Sequence, residues 1–270
     1  TKRVPLGIFG DRRVERDERA RLTFTSFTND GEAGRRNRTI IILTNDDGEL
    51  GPRDFPPRTP GCVEGERIVG NAQDNVLRGG RDNDTIIGRA GDDRLAGYRC
   101  DDTLRGGFGN DVLFGGSQND ILLGQAGNDR LLAGTGIDLA NGGIGDDSIF
   151  GGAGGDRLFG GAGNDRIDGG LGNDLIVGGF GSDTLIGGRG RDIFDYNGLN
   201  QGIDEIIDFR PGIDRIDFST LGIRRSEISI EPSIGLGFSR STVVSVRDRE
   251  LIVLNDVETN DLSLVRDFIV

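Results

Sequence analysis

Residues 160–188 read GGAGNDRIDGGLGNDLIVGGFGSDTLIGG. Asp165, Asp174 and Asp183 stand nine residues apart, each behind a glycine cluster and just ahead of a branched aliphatic: Ile167, Ile176 or Leu185. A helix repeats every 3.6 residues and a half-buried strand every second residue, so neither explains a period of nine. The period belongs to a structure whose own coil carries it.

Outward from this stretch the register runs without interruption from Leu77 to Ile193, as thirteen nonapeptides. Their eighth position is always aspartate: Asp84, Asp93, Asp102, Asp111, Asp120, Asp129, Asp138, Asp147, Asp156, Asp165, Asp174, Asp183 and Asp192. The first position is Leu or Ile except at Ala140, and glycine dominates the third, fourth and sixth. A weaker copy, IVGNAQDNV at Ile68–Val76, has Asn75 in the aspartate slot. One such copy would read as a solvated turn; thirteen in register need a structural cause.

Consecutive glycines permit positive φ and close backbone approach, so each GGxGxD is a tight turn presenting carbonyl oxygens inward. The residues around the aliphatic form only a very short strand, with the branched side chain on one face. Two nonapeptides then make one eighteen-residue coil, and stacked coils make two parallel sheets around a narrow aliphatic interior, an all-β solenoid on the order of 30 Å long. Stacking sets every second aspartate within about 5 Å of the next, in two ladders. Bare carboxylates at that spacing repel, so the ladders require a bound cation.

Composition narrows the cation. Only 34% of the 270 residues are hydrophobic, while Gly numbers 48, His 0 and Cys 2. Without histidine and with isolated cysteines, the usual donors for zinc, copper and iron are missing. Oxygen donors that include many carbonyls suit Ca²⁺, which accepts six to eight of them flexibly, better than strictly octahedral Mg²⁺. Acidity concentrates in the same region: residues 68–193 hold 19 acidic and 11 basic residues, within a net charge of −13. That balance argues against a nucleic-acid partner. No run of 18 apolar residues predicts a membrane span. Cys62 and Cys100 are too few for a disulfide framework, and free thiols are expected rather than a pair.

GGAGNDRIDGG resembles the hemolysin-type calcium-binding nonapeptide, the repeat-in-toxin (RTX) motif. The resemblance covers 68–193 and implies a right-handed parallel β-roll holding Ca²⁺ between successive turns of one edge. Glycine and neighbouring carbonyls of two turns supply ligands together with the aspartates. Carried onto this sequence, the carboxylate ligands are the thirteen aspartates above. The two edges carry seven and six turns, which allows at most eleven complete sites. Arg89, Tyr98 and Gln125 replace fourth-position glycines, and Asp82, Cys100 and Gln118 sixth-position ones. The cleanest sites are therefore expected between Asn141 and Asp183. There the glycines are Gly142, Gly143, Gly145, Gly151, Gly152, Gly154, Gly160, Gly161, Gly163, Gly169, Gly170, Gly172, Gly178, Gly179 and Gly181.

The flanks lack the repeat. IDEIIDFRPGIDRIDFSTLG (203–222) reads as strand, turn, strand around Pro211-Gly212, and STVVSVRDRELIVLNDV (241–257) as a further hairpin. An open end of a coil stack needs a cap, so 194–270 is expected to be a C-terminal β cap. It resembles the region after the repeats in serralysin-type secreted proteases. The final Asp267-Phe268-Ile269-Val270 resembles the uncleaved signal of proteins exported by bacterial type I systems. Upstream, 1–47 resembles part of a Calx-beta domain, and 48–67, with four prolines, reads as a linker.

Without histidine no Ser-His-Asp triad or HExxH zinc helix can form, and each repeat aspartate is already explained, so no enzyme is expected here. The expected function is a calcium-dependent folding module of a larger exported, extracellular bacterial protein, with the type I apparatus as partner. The alternative is a polysaccharide-binding or adhesive module using the basic cluster Arg81, Arg89, Arg94, Arg99 and Arg105.

Overall fold

The computed structural model describes residues 62–198, 202–232, 241–247 and 249–270. All belong to one compact unit beginning at Leu50. The Calx-beta-like stretch and linker residues 48–61 lie outside the described residues.

Two sheets face each other. The first runs, in spatial order, Glu64–Val69, Asn83–Ala90, Thr103–Phe108, Ile121–Ala126, Leu139–Ile144, Arg157–Ala162, Leu175–Phe180, Ile193–Asp195, Arg215–Asp217 and Phe268–Ile269. The second interleaves with it in sequence, as Val76–Arg78, Arg94–Arg99, Val112–Ser117, Arg130–Thr135, Ser148–Ala153, Arg166–Leu171, Thr184–Arg189 and Asp204–Ile206. Within the repeats, strands pair in parallel with partners eighteen residues away, as Leu131 with Ile149 and Ile149 with Ile167. The chain is thus a parallel β-solenoid, two nonapeptides to a coil.

The strands are longer than the sequence suggests. Each regular one has six residues, because pairing continues through the glycines, as in Gly152 with Gly170 and Ala153 with Leu171. First-position side chains point inward and form a single file from Ile86 through Leu95, Leu104 and Leu113 to Leu185, almost wholly withdrawn from solvent. Burying each such Leu or Ile contributes about 1.5–3 kcal/mol, an upper figure for a chain this rich in glycine.

Five of the six replacements at the fourth and sixth positions adopt positive φ: Arg89 at 94°, Tyr98 at 82°, Gln125 at 83°, Cys100 at 71° and Gln118 at 79°; Asp82 does not. A side chain there is strained by about 1–3 kcal/mol. Restoring glycine at exposed Gln125 also raises unfolded-chain entropy, by somewhat less. Gln125→Gly is therefore expected to stabilise by about 1 kcal/mol, read as a higher Tm in calcium. Gln125→Ala should bring no gain.

Three sequence expectations change. Cys62 and Cys100 are joined in a disulfide, with Cα atoms 5.8 Å apart. Their separation of 38 residues hides a proximity that only the eighteen-residue coil creates, because two coils bring the N-terminal approach beside the Cys100 turn. The first strand begins at Glu64, inside the stretch read as linker. The segments around Pro211-Gly212 do not form a hairpin: Asp204–Ile206 joins the second sheet and Arg215–Asp217 the first, each parallel to its neighbour. The alternation seen there is one more rung of the coil.

The cap follows the expectation at 241–257. Thr242–Val246 and Arg249–Leu254 pair antiparallel, Ile228–Pro232 adds a third antiparallel strand, and Arg249–Leu254 continues the second sheet beyond Asp204–Ile206. The first sheet ends instead on Phe268–Ile269, where the Phe268 ring stacks on Phe218. Among the described residues no helix is long and apolar enough to cross a membrane.

Candidate metal centre

Every repeat aspartate sits where turn meets strand, and all thirteen are buried. One carboxylate oxygen has a fixed partner. Oδ1 accepts the backbone N–H of the aspartate one rung earlier: Asp111 N–H to Asp129 at 2.7 Å, Asp120 N–H to Asp138 at 2.7 Å, Asp147 N–H to Asp165 at 2.7 Å. Seventh-position side chains build a second, more exposed ladder in the opposite sense, with Asn128 N–H donating to Asn110 and Asp146 N–H to Asn128.

The other oxygen is what decides the chemistry. Oδ2 of Asp93, Asp102, Asp111, Asp120, Asp129, Asp138, Asp147, Asp156, Asp165, Asp174 and Asp183 is buried with no hydrogen-bond donor. Beside each lies a third-position glycine whose missing side chain leaves room, except at Asp138, where the position is Ala133. A methyl group placed on Gly88 would lie 2.1 Å from Asp93 Oδ2 and 2.6 Å from the carbonyl oxygen of Gly106, one rung on. On Gly142 it would meet Asp147 Oδ2 at 2.1 Å and Gly160 O at 2.7 Å; on Gly160, Asp165 Oδ2 and Gly178 O, both at 2.3 Å. Carboxylate and carbonyl oxygens thus converge from two rungs with no hydrogen-bond donor between them. Two such oxygens in a buried space need either a proton on the carboxyl or a cation between them. Among the described residues no three carboxylate or thiol side chains gather, so backbone carbonyls must complete the shell, as Ca²⁺ accepts.

Electrostatics agree. Burial, and then neighbouring carboxylates on most rungs, outweigh the backbone hydrogen bond and push Asp102, Asp129, Asp138, Asp156 and Asp165 up to about 7, Asp147 to about 8 and Asp120 to about 9. Asp111, Asp174 and Asp183 rise to about 6. Ionisation without a counter-charge is disfavoured along both edges.

The two ends of the predicted set differ. Asp84 is satisfied entirely by backbone, with Glu66 N–H on Oδ1 and Gly80 N–H on Oδ2. Asp192 has its Oδ2 occupied by Arg210, at 3.1 Å. The ladders also extend past the repeats, which the sequence reading missed. Asp183 N–H donates to Asp204 and Asp192 N–H to Asp214, where that column ends because Asp214 N–H turns to the Arg210 carbonyl. Spacings of 21 and 22 residues break the nonapeptide count, but the local signal was present: Asp214-Arg215-Ile216 repeats Asp165-Arg166-Ile167. Asn75 keeps its rung, donating its N–H to Asp93 Oδ1.

A family model of the RTX calcium-binding nonapeptide repeat matches residues 65–99, 101–131, 123–158, 132–167 and 159–194. Residues 65–194 are RTX calcium-binding nonapeptide repeats. As RTX repeats they imply calcium binding, and the converging oxygens are of the kind calcium takes. The chain is also similar over part of its length to solved structures from Azotobacter vinelandii. The AlgE6R3 subunit of a mannuronan C5-epimerase is 29% identical over 47% of this chain and 78% of its own, with a TM-score of 0.39. The AlgE6R2 subunit is 24% identical over 47% and 89%, with a TM-score of 0.36. No curated protein matches the chain.

Proposed function

We propose that residues 68–193 form a calcium-folded roll, closed by a cap at 194–270, in the secreted part of a larger bacterial protein exported by a type I system. The observation that carries this reading is the set of eleven buried, donorless Oδ2 atoms, each facing a glycine or alanine turn. Bound Ca²⁺ supplies the positive charge that lets both ladders ionise and stack. The aspartates hold the ions through Oδ2 while Oδ1 ties rung to rung, and third-position carbonyls, including those of Gly142, Gly151, Gly160, Gly169 and Gly178, add neutral oxygens. Eleven such oxygens set the upper number of ions at about eleven.

Coupling to export rests on two supports. Near-millimolar extracellular calcium lies in the range where such sites fill, whereas cytosolic calcium does not. The Asp267–Val270 tail is also part of the fold: Asp267 is fully buried, and Phe268–Ile269 pairs with Arg215–Asp217. A receptor that reads this tail must do so before the solenoid closes.

The test is a count of bound metal. Native mass spectrometry of the full chain in millimolar Ca²⁺ is expected to show a cooperative series of bound ions, and in equal Mg²⁺ almost none. A chain that stays metal-free in calcium would refute the reading. The alternative through the arginine cluster loses ground, since Arg89 and Arg105 belong to strands of the first sheet and Arg94 and Arg99 to a strand of the second. Those four are split between the two sheets rather than gathered on one.

A further inference from the structure

Within the aspartate columns, donorless oxygens stop at Asp183 on one edge and Asp174 on the other, although the latter column continues through Asp192 to Asp214. Between Asp192 and Asp214 the geometry points to a built-in cation. One terminal nitrogen of the Arg210 guanidinium donates to the Gly190 carbonyl at 2.8 Å, to Asp192 Oδ2 at 3.1 Å and to Asp214 Oδ1 at 2.8 Å. These oxygens, a turn carbonyl and carboxylates from two successive rungs, are of the same kinds as the carbonyl and carboxylate oxygens that converge without a hydrogen-bond donor in the repeats. Asp192 and Asp214 are buried to 0% and 1% exposure, like the repeat aspartates, while the Arg210 side chain keeps 33% and reaches them from the surface.

Local sequence sets the arginine there. The turn at Arg210-Pro211-Gly212 closes with Ile213 and Asp214 N–H both donating to the Arg210 carbonyl, and Gly212 takes φ of 82°. Arg210 N–H and Nε then both donate to Asp214 Oδ2, at 2.8 and 3.0 Å. All four carboxylate oxygens of the pair are thereby satisfied, Asp192 Oδ1 by Asp174 N–H.

We propose that Arg210 is a covalently tethered substitute for calcium: it fills the last position of this column, so the Asp192–Asp214 rung takes no ion and stays closed when calcium is withdrawn. This rests on the calcium reading of the repeats. A guanidinium cannot dissociate, is charged at any relevant pH, and spreads its donors in a plane that matches carboxylate oxygens. The cap end of the roll is then ready before metal arrives, and the repeats can add to a rung that already exists.

Ion counting on the full chain in saturating calcium tests this with two variants. Arg210→Gln removes the charge and leaves the oxygens of Gly190, Asp192 and Asp214 facing one another; it is expected to bind one ion more than wild type. Asp214→Asn is expected to bind the same number as wild type, because no ion is lost from a place the arginine holds. In excess chelator, hydrogen exchange of Ile193–Asp195 and Arg215–Asp217 should remain slow in wild type and become at least tenfold faster in Arg210→Gln. One ion fewer in Asp214→Asn, or an unchanged count in a folded Arg210→Gln, overturns the substitution. If Arg210→Gln does not fold, the Asp214→Asn count decides alone. A wild-type chain binding no calcium would instead overturn the reading of the repeats and this inference with it.

Discussion

In excess chelator at pH 8 the repeat region should lose its far-UV β signal and expand, and restored calcium should return both. Neighbouring carboxylates one rung apart, at about 4.8 Å, repel by about 3 kcal/mol per pair at an effective dielectric constant near 20. Two columns of such pairs exceed the net 5–15 kcal/mol by which a domain normally holds together. Protonation is the other escape. Folded-state values of about 6 to 9 lie above those of the unfolded chain, so the folded state binds more protons. Metal-free stability is then fully present below about pH 4 and is lost as pH rises through 6 to 9. Chelated protein should accordingly retain more β structure at pH 5 than at pH 8. A chelated chain as folded at pH 8 as in calcium would contradict the account.

Gly172→Ala should disrupt the stack almost as severely. Gly172 has φ of 138°, and a Cβ there would lie 1.4 Å from the carbonyl oxygen of Gly154 in the adjoining rung. The obstacle is backbone, so relief requires separating two rungs. Strain and overpacking together should cost about 3–5 kcal/mol, seen as a lower Tm and a higher calcium midpoint. Gly155→Ala is the control, since its nearest neighbour would be Asn173 O at 3.1 Å and its φ is not positive. A normal Tm in Gly172→Ala would show that rungs are not packed this closely.

The repeats were legible because every local choice carries the same period: aliphatic inward, glycine at the turn, aspartate at the edge. Sequence alone gave the two sheets, the interior file and the thirteen aspartates. It did not distinguish Asp84 and Asp192 from the rest, because what satisfies their second oxygen comes from outside the regular array: Gly80 N–H in one case, Arg210 in the other. The cap was read only in part. Its hairpin at 242–254 has a local signature, but Asp204 and Asp214 join the columns after insertions that break the count. The disulfide was missed because contacts across coils obey spatial rather than sequential distance.

The opposed senses of the two ladders tie every rung to both of its neighbours. Trimming coils from the N-terminal side strands an N–H of the outer, solvent-facing row and takes the donor from a buried Oδ1. Trimming from the C-terminal side deprives a buried aspartate N–H of its acceptor on each edge, a loss of about 1–3 kcal/mol apiece. Proteolysis at either end should therefore propagate inward until it meets a rung held from outside the array, as Arg210 holds Asp192 and Asp214.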